Sequence, residues 1–120
     1  MKIAITSTGN TSDSEIDPRF GRAKFFMVYD DEKDSYEAID NVQNVQAAHG
    51  AGPQATQSVA DAGCGAIITG HVGPNAFNAL KMAKIEVFTV ESGTVREAVD
   101  AYKAGKLKAV DSADVEGGWV

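Results

Sequence analysis

The chain is short of the residues that much protein chemistry requires. It has one cysteine, Cys64, so no internal disulfide framework exists and no thiolate cage can be built from one molecule. It has two histidines, His49 and His71, and no HExxH, paired CxxC or Walker lysine pattern. Zinc hydrolysis and P-loop phosphoryl transfer therefore lack their required groups. Positive charge is scarce: 11 Lys and Arg against 17 Asp and Glu give a net charge of -6, which works against wrapping around nucleic acid. The opening Met-Lys-Ile-Ala-Ile-Thr gives way at once to a polar run. No later stretch approaches the roughly 20 apolar residues needed to cross a bilayer. The expectation is a soluble, cytoplasmic chain with no membrane or nucleic-acid partner.

What is present is a set of three glycine-rich joints, each where a short apolar run meets a helical pattern. They are His49-Gly50-Ala51-Gly52-Pro53, Thr69-Gly70-His71-Val72-Gly73-Pro74-Asn75 and Ser92-Gly93-Thr94. Glycine allows close backbone approach, and proline opens a helix without losing a hydrogen bond. An apolar fraction of 43% over 120 residues is enough for one core. Strands are predicted over 2–6, 23–30, 35–39, 66–69 and 86–90, and helices over 53–62, 74–83 and 94–104. Residues 7–19 read as a long exposed loop, and Cys64 as a structural thiol just before the fourth strand. Phe77 and Leu80 face the sheet, with Met82 a further candidate; Ile3, Ile5, Phe25, Met27, Val59 and Ile67 complete the expected core. Thr94 and Glu97 have capping-box spacing. From residue 107 the chain reads as a tail holding a further turn or strand, in which Trp119 is the residue able to dock.

The simplest assembly is an α/β domain over residues 1–120. Its five-stranded mixed sheet has order 3-2-1-4-5, and helices flank it through right-handed crossovers. That order sets residues 7–19 beside Gly70–Asn75, at the edge where open α/β sheets bind ligands. Candidate binding residues at this edge are His71, His49, Arg19, Arg22, Gly70, Gly73 and Asn10. A histidine at a helix entrance can offer an imidazole nitrogen to a soft or borderline metal. The free helix N–H groups beside it can receive an anion. Each has a plainer alternative: His71 caps or packs its loop, and His49 is a polar residue in a connection. Arg19 and Arg22 either hold an anion or bridge Asp13, Glu15 and Asp17. No nucleophile–base constellation appears, so an enzyme is not expected.

Lys2-Ile3-Ala4-Ile5, Phe20-Gly21-Arg22-Ala23, Asn41, Gly50-Ala51-Gly52, Gly70, Gly73, Asn75-Ala76-Phe77 and Leu80 occur together in this spacing. Over residues 1–105 they make the chain resemble the small dinitrogenase iron–molybdenum cofactor-binding proteins. The resemblance implies a ribonuclease-H-like fold and non-catalytic binding, storage or transfer of an iron–sulfur or iron–molybdenum cluster, with His71 and His49 as metal ligands. It also implies a donor or acceptor protein as partner. The expected assembly is a monomer without cargo, with a cluster-dependent dimer as one outcome of loading. The alternative is a regulatory domain that binds a small anion or a protein without metal.

Overall fold

The computed structural model describes residues 1–41 and 51–111. His49 and Trp119 lie outside the described residues. The elements run β1 (Lys2–Ser7), β2 (Phe25–Asp30), β3 (Ser35–Asp40), α1 (Ala51–Asp61), β4 (Cys64–Thr69), α2 (Pro74–Met82), β5 (Glu86–Thr89) and α3 (Val95–Lys103). The sheet order is β3-β2-β1-β4-β5, as the sequence led us to expect. β1 is antiparallel to β2 and β2 to β3, while β4 and β5 run parallel to β1.

β1 and β4 are apolar on both faces, as strands covered on both sides must be. Alternation then sorts their side chains into two cores. Ala4, Phe26, Val28 and Ile67 meet Ala55 and Val59 of α1 and Ala76, Phe77 and Leu80 of α2. Ile3, Ile5, Met27, Tyr29 and Ile68 meet Val95, Ala98 and Val99 of α3. Two expectations fail here. Phe25 is only half-buried and Phe26 is the fully buried ring; Met82 is 85% exposed at the end of α2.

Several boundaries also move. α1 begins at Ala51 and not at Pro53. The first-turn N–H groups of a helix have no partner within it, so a proline at the third position costs no hydrogen bond. β4 begins at Cys64, which pairs with Lys2, and the thiol residue is therefore part of the strand. α3 has the expected capping box: the Glu97 N–H donates to Thr94 Oγ1 at 3.2 Å and the Thr94 N–H to Glu97 Oε1 at 2.9 Å. Beyond α3, the Val110 N–H donates to the Val87 carbonyl at 2.8 Å and Ala109 bridges Phe88, so part of the tail returns to the edge of β5.

Charge is unevenly placed. Asp30, Asp31, Glu32, Asp34, Glu37 and Asp40, against Lys33 alone, put five of the six net negative charges into the β2–β3 hairpin. Its turn, 31–34, lies beside the start of β1, since Lys2 pairs with Asp30. It is thus at the opposite end of the sheet from the C-terminal ends of the parallel strands.

Candidate functional site

Beyond Ser7 the chain does not form an open loop. Ser7 bridges Ile16, the Thr8 N–H donates to the Glu15 carbonyl at 2.9 Å, and the Asp17 N–H donates to the Thr6 carbonyl at 3.0 Å. The segment 8–19 is therefore a strap that doubles back over the end of β1. Its outer part is tied to the start of α3: Ile16 N–H to the Gly93 carbonyl, Val95 N–H to Ser14 and Arg96 N–H to Ser12, each at 2.9 Å. Its inner part is tied to β4. There the His71 N–H donates to the Pro18 carbonyl at 2.7 Å, and Arg19 and His71 form a parallel bridge. The expected approach of residues 7–19 to Gly70–Asn75 is present, but as a stitched surface.

Three buried polar groups hold this junction. β1 carries Ile5-Thr6 just before its last residue and β4 ends in Ile68-Thr69; Ile5 lies opposite Ile68, so Thr6 and Thr69 are neighbours. Their hydroxyls share a hydrogen bond at 2.9 Å, and Thr6 Oγ1 also donates to the Asp17 carbonyl at 2.7 Å. Asp17 Oδ1 accepts the Arg19 N–H at 3.0 Å and stands 4.0 Å from the Arg19 Nε. Of the three, the sequence points only to Asp17, as one of the acids that Arg19 or Arg22 could bridge, and the 4.0 Å contact with Arg19 is that pairing. The matching Ile-Thr pairs of two apolar runs were the available signal for the threonines.

Arg19, Gly70, His71 and Gly73 thus come together. Gly70 is required by the close approach: a Cβ there would stand 2.7 Å from Pro18 Cα and O. Gly73 is the N-cap of α2 and Pro74 its first residue, with no side-chain cap bond. Arg22 is half-buried in the turn below Arg19. That turn is fixed from inside, because Phe20 is fully buried with its ring 5.5 Å from Phe26. It is also fixed by Asn41, whose Nδ2 donates to the Gly21 and Ala23 carbonyls at 3.2 and 2.8 Å. Asn10 is exposed on the outer part of the strap, while Pro18 and Arg19 are the strap residues that meet β4.

Two helix starts at this edge lack an acidic residue of their own. α1 and α2 begin side by side, because Gly52 is so close to Ala76 that a Cβ would stand 2.8 Å from the alanine Cβ. Neither helix has an acidic residue in its first turn, whereas α3 has Glu97. The positive ends of two helix dipoles are therefore left without a carboxylate of their own, beside Arg19 and His71. An open cleft of about 810 Å³ lies next to them, lined by Gly70, His71, Thr89, Val90, Glu91, Ser92 and Leu107. Among the described residues, no group of three or more His, Cys, Asp or Glu side chains could hold a metal ion. The arrangement suits an anion that brings its own ligands better than a bare cation.

Cys64 is at the far end of β4, roughly 16 Å from Thr69 by strand rise. It is buried, and burial pushes its thiol from the usual 9.0 to about 11, with Lys2 partly opposing the shift. A thiol raised in the folded state contributes stability that is complete below pH 9 and is lost as pH rises towards 11. Unfolding free energy should therefore fall across that window more steeply in the native chain than in Cys64→Ala. Equal slopes in parallel urea titrations would show that the thiol is not shielded.

The description dinitrogenase iron-molybdenum cofactor belongs to the family model that matches residues 1–105. An uncharacterized protein of Methanocaldococcus jannaschii is 28% identical over 110 residues, 90% of each chain. Among solved structures, the apo form of the orange protein from Desulfovibrio gigas is 39% identical. It superposes with a TM-score of 0.92 over 95% of this chain and 96% of its own. A Thermotoga protein solved by NMR, provisionally called a NifB protein, is also 39% identical, with a TM-score of 0.85 over 97% and 98%. No described helix is long and apolar enough to cross a membrane.

Proposed function

The chain belongs to the dinitrogenase iron-molybdenum cofactor family, and on that premise we propose that it is a non-catalytic carrier. Its cargo is an anionic metal–sulfur cluster, iron–sulfur or molybdenum-containing, bound at the edge where the strap meets β4. The observation that carries this reading is the Arg19–His71 bridge beside the start of α2, which has no side-chain cap. Arg19 and the N–H groups of the helix entrance offer donors to sulfide or oxygen ligands, and His71 offers a nitrogen to a metal at the cluster surface. Arg22, Gly70 and Gly73 complete the edge; Asn10 and His49 are proposed as contacts made by neighbouring segments. A cluster arrives with its own bridging ligands, so few protein ligands are needed, and few make release easy.

The same reading takes the domain as residues 1–120, with 107–120 an appended tail, and places the chain in the cytoplasm. The sheet order and the flanking helices support the ribonuclease-H-like comparison. A donor or acceptor protein is the proposed partner. The chain alone is proposed to be a monomer, with a second copy recruited on loading if one edge offers too few ligands.

Anaerobic mixing of the purified chain with iron–sulfur or molybdenum-containing cluster donors should give stoichiometric retention of metal and sulfide. Light scattering after size exclusion reads the assembly in the same experiment. His71→Ala should weaken retention about tenfold, the worth of one charge-assisted or metal contact, while Lys33→Ala, in the turn at the far end of the sheet, should leave it unchanged. No retention with any donor would remove the carrier reading. NMR shifts at residues 7–22 and 70–75 with a small organic anion, without cluster retention, would replace it with an anion-binding regulatory domain.

A further inference from the structure

Asp17 has a side chain for which the carrier reading has no use. It is the one buried carboxylate among the described residues, only 6% exposed. Taking a carboxylate out of water is costly unless it is paired. Its carboxylate meets the Arg19 N–H at 3.0 Å and the Arg19 Nε at 4.0 Å. Capping the N–H does not require charge, because a neutral amide or hydroxyl oxygen can also accept it. Its charge also faces the guanidinium, and at 4.0 Å it holds that group loosely.

Asp17 itself cannot follow Arg19 outward. Its carbonyl accepts from Thr6 Oγ1 at 2.7 Å and its N–H donates to the Thr6 carbonyl at 3.0 Å, which fixes its main chain to β1. The Arg19 side chain is 44% exposed and ends a long stem of rotatable bonds. One partner is clamped below the edge and the other reaches its surface. An anion that draws the guanidinium outward must compete with a carboxylate that stays behind.

We propose that Asp17 is a positioning residue that sets how readily cargo leaves: it holds the Arg19 guanidinium against the pull of the bound anion. The inference rests on the carrier reading. In it, a bound cluster receives only part of the Arg19 charge, binding is weaker than the edge could make it, and exchange with an acceptor is faster.

The test uses the full chain and tetrathiomolybdate, a simple molybdenum–sulfur dianion. Asp17→Asn keeps an oxygen for the Arg19 N–H and removes the charge. Asp17→Ser is a second neutral acceptor should the first fold poorly. Either variant should bind the dianion about three- to fivefold more tightly, the span of one partly exposed ion pair, and release it more slowly. In an Arg19→Gln background the gain should vanish. Unchanged or weaker binding in both variants, with the native chain binding normally, would overturn the inference and leave the carrier reading intact. A gain that persists without Arg19 would also overturn it. If the native chain holds neither the dianion nor a cluster, the carrier reading falls first and this inference falls with it.

Discussion

Phe20→Ala is expected to lower the unfolding free energy by about 3–5 kcal/mol, the usual cost of emptying a buried aromatic site. Small domains hold only about 5–15 kcal/mol in total, so this one change would remove much of the margin. Phe20 has no exposed surface and its ring packs 5.5 Å from Phe26 in the core under α1 and α2. The space left behind cannot close easily, because Asn41 fixes the carbonyls of Gly21 and Ala23 just beyond it. Phe25→Ala is the natural comparison. That ring is half-buried, so truncation should cost clearly less. Urea titrations of both variants at constant slope would measure the difference. Equal losses would mean that Phe20 is not the anchor of the turn. Arg19 and Arg22 flank this ring, so retention of an anion should suffer in Phe20→Ala even where the protein remains folded.

Gly70→Ala should be costly for the opposite reason. An added Cβ would stand 2.7 Å from Pro18 Cα and O, and these are backbone atoms that cannot rotate away. Overpacking of this kind costs about 1–3 kcal/mol. The strap is held to Thr6 on one side and to His71 on the other, so relief comes most readily by breaking the His71 N–H bond to Pro18. Amide exchange at His71 should accelerate sharply while the amides of central β4 stay protected. Gly65→Ala, near the start of β4, supplies the contrast. Its nearest neighbour would be the Met1 Cε at 3.1 Å, the far end of a flexible side chain, which can yield. If the two alanines behave alike, close packing of strap against strand is not what Gly70 provides.

Much of the architecture was legible because apolar runs and glycine joints alternate plainly along the chain. The sheet order followed from the spacing of those runs, and the α3 start from Thr94 and Glu97. Phase was the weak point. A strand buried on both faces has no polar alternation to set its register, so Phe25 was taken for the core ring and Phe26 was not. Met82 fell on an apolar helical stripe but sits in the last turn of α2, past the point where the helix meets the sheet. The strap was read as open because its bonds join Thr6, Gly93, His71 and residues 12–18, which are distant in sequence. Asp17 looked like one surface acid among many; only its burial separates it from Asp13, whose side chain is 82% exposed beside Arg96.

The acidic β2–β3 hairpin gives the molecule a handle. Its turn, where Asp30, Asp31, Glu32 and Asp34 stand against Lys33, is at the opposite end of the sheet from Arg19, His71 and the start of α2. A cationic support attracts the end that carries the negative charge. The chain then adsorbs by residues 30–34 and turns the strap towards the liquid, with no tag needed to orient it. Held in that way, the edge stays open to dissolved anions and to a second protein, while the corner that would repel them is pressed against the support.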